Sequence, residues 1–252
     1  MCTVVVLRRP DHPWPILLAA NRDEMAGRPW RPPGRHWPDR ADVVAGLDEL
    51  AGGSWLGLNR AGVVAGILNR RGSLGPDPRL RSRGELVLEA LDHADAVAAA
   101  DALAALDGRS YRSFNMVIAD NRDAYWLRNA GRPAGAVEAV ALPEGLSMLT
   151  SSDLDDADAS PRVRRFRPLF AAAPPPDPER GDWAGWTGLL ARRDAAPGAG
   201  ADQAMTVATG GGFGTLSSAL IALPAVGRAG VRPVFLFAAG RPGEVDYAPV
   251  DA

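Results

Sequence analysis

The chain has 252 residues, 46% of them hydrophobic and 23% charged, with a formal net charge of −2. That length fits one large domain or two small ones, with apolar residues enough for a sizeable core. The near-neutral balance excludes a global field that would favour nucleic acid as a partner.

All 28 basic residues of the Lys/Arg type are arginine. A Schiff-base lysine, a P-loop lysine and a lysine general base are therefore excluded. A single cysteine excludes an internal disulfide. The start of the chain lacks a basic segment followed by a long apolar run, and Val4 to Leu7 is too short for a signal peptide or a membrane span. The expectation is one domain over residues 1–252, cytoplasmic, without stable membrane insertion and with a small molecule as its ligand.

In chain order, Thr3 to Leu7 is β-branched and apolar, which predicts a buried strand. Pro10 to Pro15 is a turn, and Ile16 to Ala20 is a second apolar run, so the pair reads as a hairpin. It ends in Asn21-Arg22-Asp23-Glu24. On a strand, Asn21 and Asp23 face one way and Arg22 and Glu24 the other. Four polar residues there mark either a site or a solvated strand end. Residues 26–42 lack a period and read as a loop packed by Trp30 and Trp37. Val43 to Gly46 is a short strand. Gly52 to Asn59 and Val63 to Asn69 form a second hairpin around Arg60-Ala61-Gly62.

Arg70 to Ser82 reads as a loop with Gly-Pro and Asp-Pro breakers. From Arg83 onward Leu86, Leu91, Val97, Leu103 and Leu106 fall at helical spacings, which predicts two helices split near His93. Phe114 to Ala119 and Ala124 to Arg128 form another strand pair, followed by strands at Val137 to Leu142 and Leu146 to Leu149. Arg162 to Phe170 reads as a helix. Pro174-Pro175-Pro176 and Pro197-Gly198-Ala199-Gly200 bracket a short helix at Trp183 to Arg192, which reads as linker-like surface structure. Ser217 to Leu223, Pro233 to Ala239 and Glu244 to Pro249 close the chain as strands. Strands, then helices, then strands favour an α+β sandwich over a doubly wound parallel sheet.

The chemistry centres on Cys2. If Met1 is removed, one residue carries both a thiol and a free α-amine. An α-amine has an unperturbed pKa near ~8 and serves as a base at neutral pH, and the thiolate is the nucleophile. The alternative for a lone cysteine is a small buried hydrophobe. The glycine-rich run Gly210 to Gly214 precedes a strand, so it does not fit a dinucleotide loop. His12, His36 and His93 lie far apart, without metal-ligand spacing, and no metal site is expected. There is no Gly-x-Ser-x-Gly elbow.

The motifs together are more specific. Met1-Cys2, Ala20-Asn21-Arg22-Asp23-Glu24, Arg28-Pro29, Gly53-Ser54-Trp55-Leu56-Gly57, Arg83-Gly84-Glu85-Leu86-Val87 and Phe114-Asn115 follow in an order that resembles the NRDE family, which includes the transport and Golgi organisation proteins. The resemblance implies the N-terminal-nucleophile hydrolase superfamily and an α+β four-layer αββα sandwich of two antiparallel sheets. Its start is similar to penicillin V acylases and conjugated bile acid hydrolases, in which the cysteine after Met attacks an amide. By position this implies Cys2, Arg22, Asp23 and Asn69 as catalytic residues. Asn69 would donate to a developing oxyanion, worth ~3 kcal/mol per donor; otherwise it is a strand-end cap. Arg22 and Asp23 would steady the cysteine; otherwise they are a structural ion pair. Asn21, Glu24, Trp55 and Asp153 are the expected binding residues. Asp153 stands where the family usually has Asn, and Leu216 where it tends to have Arg. The implied activity is hydrolysis of a small acyl amide. The implied alternative is a non-catalytic carrier of haem or of acyl-CoA and lipid. Haem would then be a carried ligand, with Cys2, His36 or a methionine as axial ligand and Trp30, Trp37 and Trp55 against the porphyrin. No other cofactor is expected.

Overall fold

The computed structural model describes residues 1–75, 77–131, 135–195 and 198–252. Pro76 of the Gly-Pro breaker and Pro197 of the second proline bracket lie outside them.

Thirteen strands among the described residues form two antiparallel sheets. The first contains β1 (Thr3–Arg8), β2 (Ile16–Met25), β10 (Gly145–Leu149), β11 (Phe213–Leu223), β12 (Val234–Ala238) and β13 (Ala248–Pro249), in the order β10-β1-β2-β11-β12-β13. The second runs in sequence order. It comprises β3 (Trp30–Gly34), β4 (Val43–Asp48), β5 (Leu56–Asn59), β6 (Val64–Asn69), β7 (Phe114–Ala119), β8 (Ala124–Asn129) and β9 (Val137–Ala141).

Three apolar layers follow from strand periodicity. In β1, Val4 and Val6 pack between the sheets, whereas Val5 packs toward α3 (Pro161–Ala172) and α4 (Ala184–Leu190). In β2, Ile16, Leu18 and Ala20 take the inner face and Leu17 and Ala19 the outer one. Both faces are covered, so these strands read as continuous apolar runs rather than as alternation. The second sheet repeats the arrangement. Val64, Leu68 and Val117 point inward, while Ala65, Met116 and Ile118 meet α1 (Gly84–Leu91) and α2 (Ala96–Ala104). Helices on both outer faces complete an αββα sandwich, as the motif order implied.

Two local expectations need correction, and one strand end is as expected. The stretch read as a loop over 26–42 contains β3, whose Pro32 and Pro33 are tolerated because β3 is an edge strand. Strand β2 runs to Met25, so Asn21 to Glu24 form its polar end, as read from the sequence. The short helix taken as linker-like surface is core: in and beside α4, Trp183, Trp186 and Leu190 are buried, and Trp186 meets Phe170 of α3 edge to face at 5.6 Å. A sequence flanked by prolines and glycines hides this, because a few apolar side chains carry the packing.

Trp186→Ala is therefore expected to cost about 3–5 kcal/mol of unfolding free energy, the range for emptying a buried aromatic site. Urea unfolding monitored by circular dichroism measures it; a loss below 0.5 kcal/mol, ordinary for surface positions, would restore the linker reading.

Candidate functional site

Alternation along β2 divides its polar end between two environments. Asn21 and Asp23 turn toward the α3/α4 layer, and Arg22 turns into the space between the sheets. The β1–β2 register pairs Thr3 with Asn21 and Val4 with Ala20, which sets Cys2 beside Arg22. Cys2 and Val4 share the inner face.

The Cys2 sulfur is held by the backbone of Asp23. It accepts from the Asp23 N–H at 3.4 Å and lies 3.5 Å from the Asp23 carbonyl oxygen, to which its thiol donates. The Asp23 side chain is fully buried and collects three donors. They are the Met1 α-amine at 2.8 Å on Oδ2, the Thr215 hydroxyl at 2.6 Å on Oδ1, and Arg162 Nη1 at 3.4 Å. Arg162, near the start of α3 and equally buried, also donates to Thr3 Oγ1 at 2.7 Å and to the Met1 carbonyl. Thr215 in turn accepts from the Val207 N–H at 2.8 Å. A carboxylate, a guanidinium and a hydroxyl thus grip the start of the chain.

On the other face of β2, Arg22 is 6% exposed. Its guanidinium carbon lies 4.2 Å from the Trp55 ring centroid and 5.8 Å from that of Trp30, within cation–π range. Trp30 meets Trp55 edge to face at 5.7 Å and Phe237 at 6.0 Å. Burial lowers the Arg22 pKa, opposed by the charges of Cys2, Glu24 and Asp48. No carboxylate among the described residues ion-pairs with it.

These groups border a cleft enclosing about 340 Å³ of atom-free space, part of it open to solvent. Cys2, Val4, Ala20 and Arg22 line one side with Ser217 and Ala219 of β11; Trp55, Leu56, Ile67 and Leu68 line the other. The lining is mostly apolar with a few polar groups, the usual character of a small-molecule site.

The expected residues divide accordingly. Cys2 and Arg22 line the cleft, and Asp23 touches both Cys2 and the terminal amine. Trp55 lines it and covers Arg22. Asn69 ends β6 opposite Phe114, whose side chain packs in the α1/α2 layer. Cross-strand partners share a face, so the Asn69 side chain starts on the outer side of its sheet; Ile67 and Leu68 reach the cleft, and Asn69 is not in its lining. The Asn21 side chain is committed to structure. Its Nδ2 donates to the carbonyls of Leu190 at 3.0 Å and Met205 at 2.9 Å, and its Oδ1 accepts from Ser218 at 2.8 Å. Glu24 lies 3.8 Å from Arg28 and outside the cleft lining. Asp153 pairs with Arg70 at 2.7 Å and Arg128 at 2.8 Å, also outside that lining. Of the tryptophans named for a porphyrin, Trp55 lines the cleft and Trp30 packs against it, while Trp37 lies against His36 and donates to the Gly52 carbonyl at 3.0 Å.

With this geometry in place, comparison with known proteins is direct. The family model described as "Transport and Golgi organisation 2" matches residues 1–175. The chain belongs to that family. The mouse Transport and Golgi organization 2 homolog is 35% identical over 115 residues, which is 42% of this chain and 38% of the relative. The match thus spans well under half the length of that curated relative. Among solved structures, a Caenorhabditis elegans N-acylethanolamine-hydrolyzing acid amidase ortholog aligns with a TM-score of 0.56 at 13% identity, covering 90% of this chain and 95% of its own. A conjugated bile acid hydrolase from Clostridium perfringens aligns with a TM-score of 0.55 at 12% identity, covering 100% and 93%. At such identities the likeness is one of fold, and it places this Transport and Golgi organisation 2 family member on the N-terminal-nucleophile hydrolase architecture.

Three residues of the site escape sequence reasoning. Thr215 belongs to the Gly214-Thr215-Leu216 run, noticed for its leucine, yet the threonine is what bonds Asp23. Arg162 looks like one more arginine of an arginine-rich helix; its position two residues after the Ser160 cap, whose hydroxyl accepts from Val163 at 3.2 Å, is the one local signal. Ser217 is the residue that the bulge between Thr215 and Ser217 turns into the cleft.

Burial raises the Cys2 pKa, and the Asp23 carboxylate adds to this, against smaller opposing effects from the terminal amine, the Asp23 backbone bond and Arg22. The sulfur is therefore a neutral thiol at pH 7. Alkylation by iodoacetamide, which needs thiolate, is expected to be slower than for free cysteine at pH 7–8 and to keep rising with pH beyond the ordinary thiol value. A rate that plateaus below pH 8 in the Met1-bearing chain would contradict the raised value.

Proposed function

We propose that the protein is an N-terminal-nucleophile cysteine hydrolase of small acyl amides, with Cys2 as nucleophile after removal of Met1. The observation that carries this reading is the buried grip of Asp23, Arg162 and Thr215 on the start of the chain, directly beside the Cys2 sulfur. A neutral buried thiol needs a nearby base, and a free α-amine on the same residue supplies one.

In the proposed sequence the α-amine takes the thiol proton and the sulfur attacks the amide carbonyl. The C–N bond then breaks, and the amine leaves with the proton returned to it. Water next cleaves the thioester, releasing the acid and restoring the thiol. Asp23, which holds the Met1 α-amine in the unprocessed chain, is left to hold the new α-amine of Cys2, and Arg22 supplies positive charge at the cleft floor. The likeness of fold to enzymes named for N-acylethanolamines and for conjugated bile acids supports an acyl amide as the substrate class. The carrier alternative, with haem or an acyl-CoA held but not converted, is supported by Asp153 and Leu216 at positions where the family tends toward Asn and Arg. Asp153 is tied into two ion pairs and has no neutral amide to offer.

Intact mass should show loss of Met1, and the processed protein should turn over members of a short-chain acyl amide panel. Cys2→Ser should slow turnover at least a hundredfold and Cys2→Ala should abolish it, with ligand binding kept. Turnover that survives Cys2→Ala would place the chemistry elsewhere; binding without turnover in the processed parent would favour the carrier.

A further inference from the structure

Beside Arg22, the floor of the cleft carries a second polar residue, Ser217, that amide hydrolysis leaves unused. Ser217 is directly opposite Arg22 in the β2–β11 register, and Cys2 flanks Arg22 on the other side through β1. Cys2, Arg22 and Ser217 therefore form a row across three adjacent strands, about 4.8 Å from one strand to the next, all facing the cleft. Two buried polar atoms in this row have no hydrogen-bond partner, Arg22 Nη1 and Ser217 Oγ. Ser217 is 1% exposed and Arg22 6%. Leaving either unpaired is costly, and a buried guanidinium without an anion more so. The tryptophans Trp55 and Trp30 give Arg22 ring faces, not a counter-charge. The nearest titratable anion precursor, the Cys2 thiol, is neutral at pH 7, and Asp23 is committed on the far face of β2.

We propose that the pair Arg22 and Ser217 is a binding site for a small monocarboxylate with an apolar tail. One carboxylate oxygen accepts from Arg22 Nη1 and the other from the Ser217 hydroxyl, and the tail lies along Val4, Ala20, Leu56, Leu68 and Ala219. A single guanidinium with one hydroxyl matches one negative charge. A phosphate dianion would leave excess charge near Asp23, Glu24 and Asp48. The apolar walls exclude a free inorganic anion as the preferred occupant. The site does not depend on turnover by Cys2, so a failure of the hydrolase reading leaves it standing.

Calorimetric titration of the folded protein with hexanoate, hexanamide and inorganic phosphate tests this. Hexanoate is expected to bind, with hexanamide and phosphate each at least tenfold weaker. Ser217→Ala removes a hydroxyl with no partner in the folded chain, so its melting temperature should be unchanged or higher, while hexanoate affinity falls about tenfold. Arg22→Gln should abolish hexanoate binding; if that variant does not fold, Ser217→Ala alone decides. Absence of hexanoate binding to the parent, hexanamide or phosphate binding as tightly as hexanoate, or Ser217→Ala binding hexanoate as tightly as the parent would each overturn the proposal.

Discussion

The site depends on one buried carboxylate. Asp23 is fully enclosed, and a carboxylate removed from water survives there only if charges and hydrogen bonds replace the lost hydration. Its partners come from separate parts of the chain: the terminal amine of Met1, Arg162 of α3 and Thr215 of β11. Satisfying Asp23 thus fixes the start of β1, the register of β11 on β2 and the docking of α3 at once. Charges this close in a low-dielectric setting are strongly coupled, so the half-buried first residues are tied to the core rather than frayed.

The alternation of β2 then separates two electrostatic tasks that would conflict on one face. Asp23, on the outer side, serves the α-amine. Arg22, one residue earlier and on the inner side, sits under Trp55 and faces the cleft. Were both on the same face, they would neutralise each other as a plain ion pair, the alternative that residue types alone left open. The structure resolves it: no Arg22–Asp23 ion pair is formed, and Asp23 takes its guanidinium from Arg162 instead. Cys2 stands where the two environments meet, its backbone neighbours on one side and the cleft on the other.

How much of this was legible in the sequence follows from the range of the interactions. The strand pairs around Leu17 and Val117 and the split helices at His93 were legible because local apolar period decides them. β3 was missed because Pro32 and Pro33 argue against a strand everywhere except at a sheet edge, and edge position is a property of the whole sheet. The burial of Trp186 was missed because it depends on Phe170, 16 residues away. At the site, Cys2, Arg22 and Asp23 were legible from motif order. Arg162 and Thr215 were not, because they are separated from Asp23 by 139 and 192 residues and only the fold brings them together.

The bulge between Thr215 and Ser217 is what makes both halves of the site possible. In a regular strand residues 215 and 217 would share a face, and the Ser217 hydroxyl would join Thr215 on the Asp23 side. The extra residue at Leu216 breaks that parity. Thr215 stays with the carboxylate, Ser217 turns into the cleft beside Arg22, and Ser218 returns to the outer layer to bond Asn21. Leu216 is thus the inserted residue of the bulge, and its backbone conformation serves the site whatever its side chain. Arg22 is thereby the guanidinium of the cleft lining, with the Ser217 hydroxyl across from it.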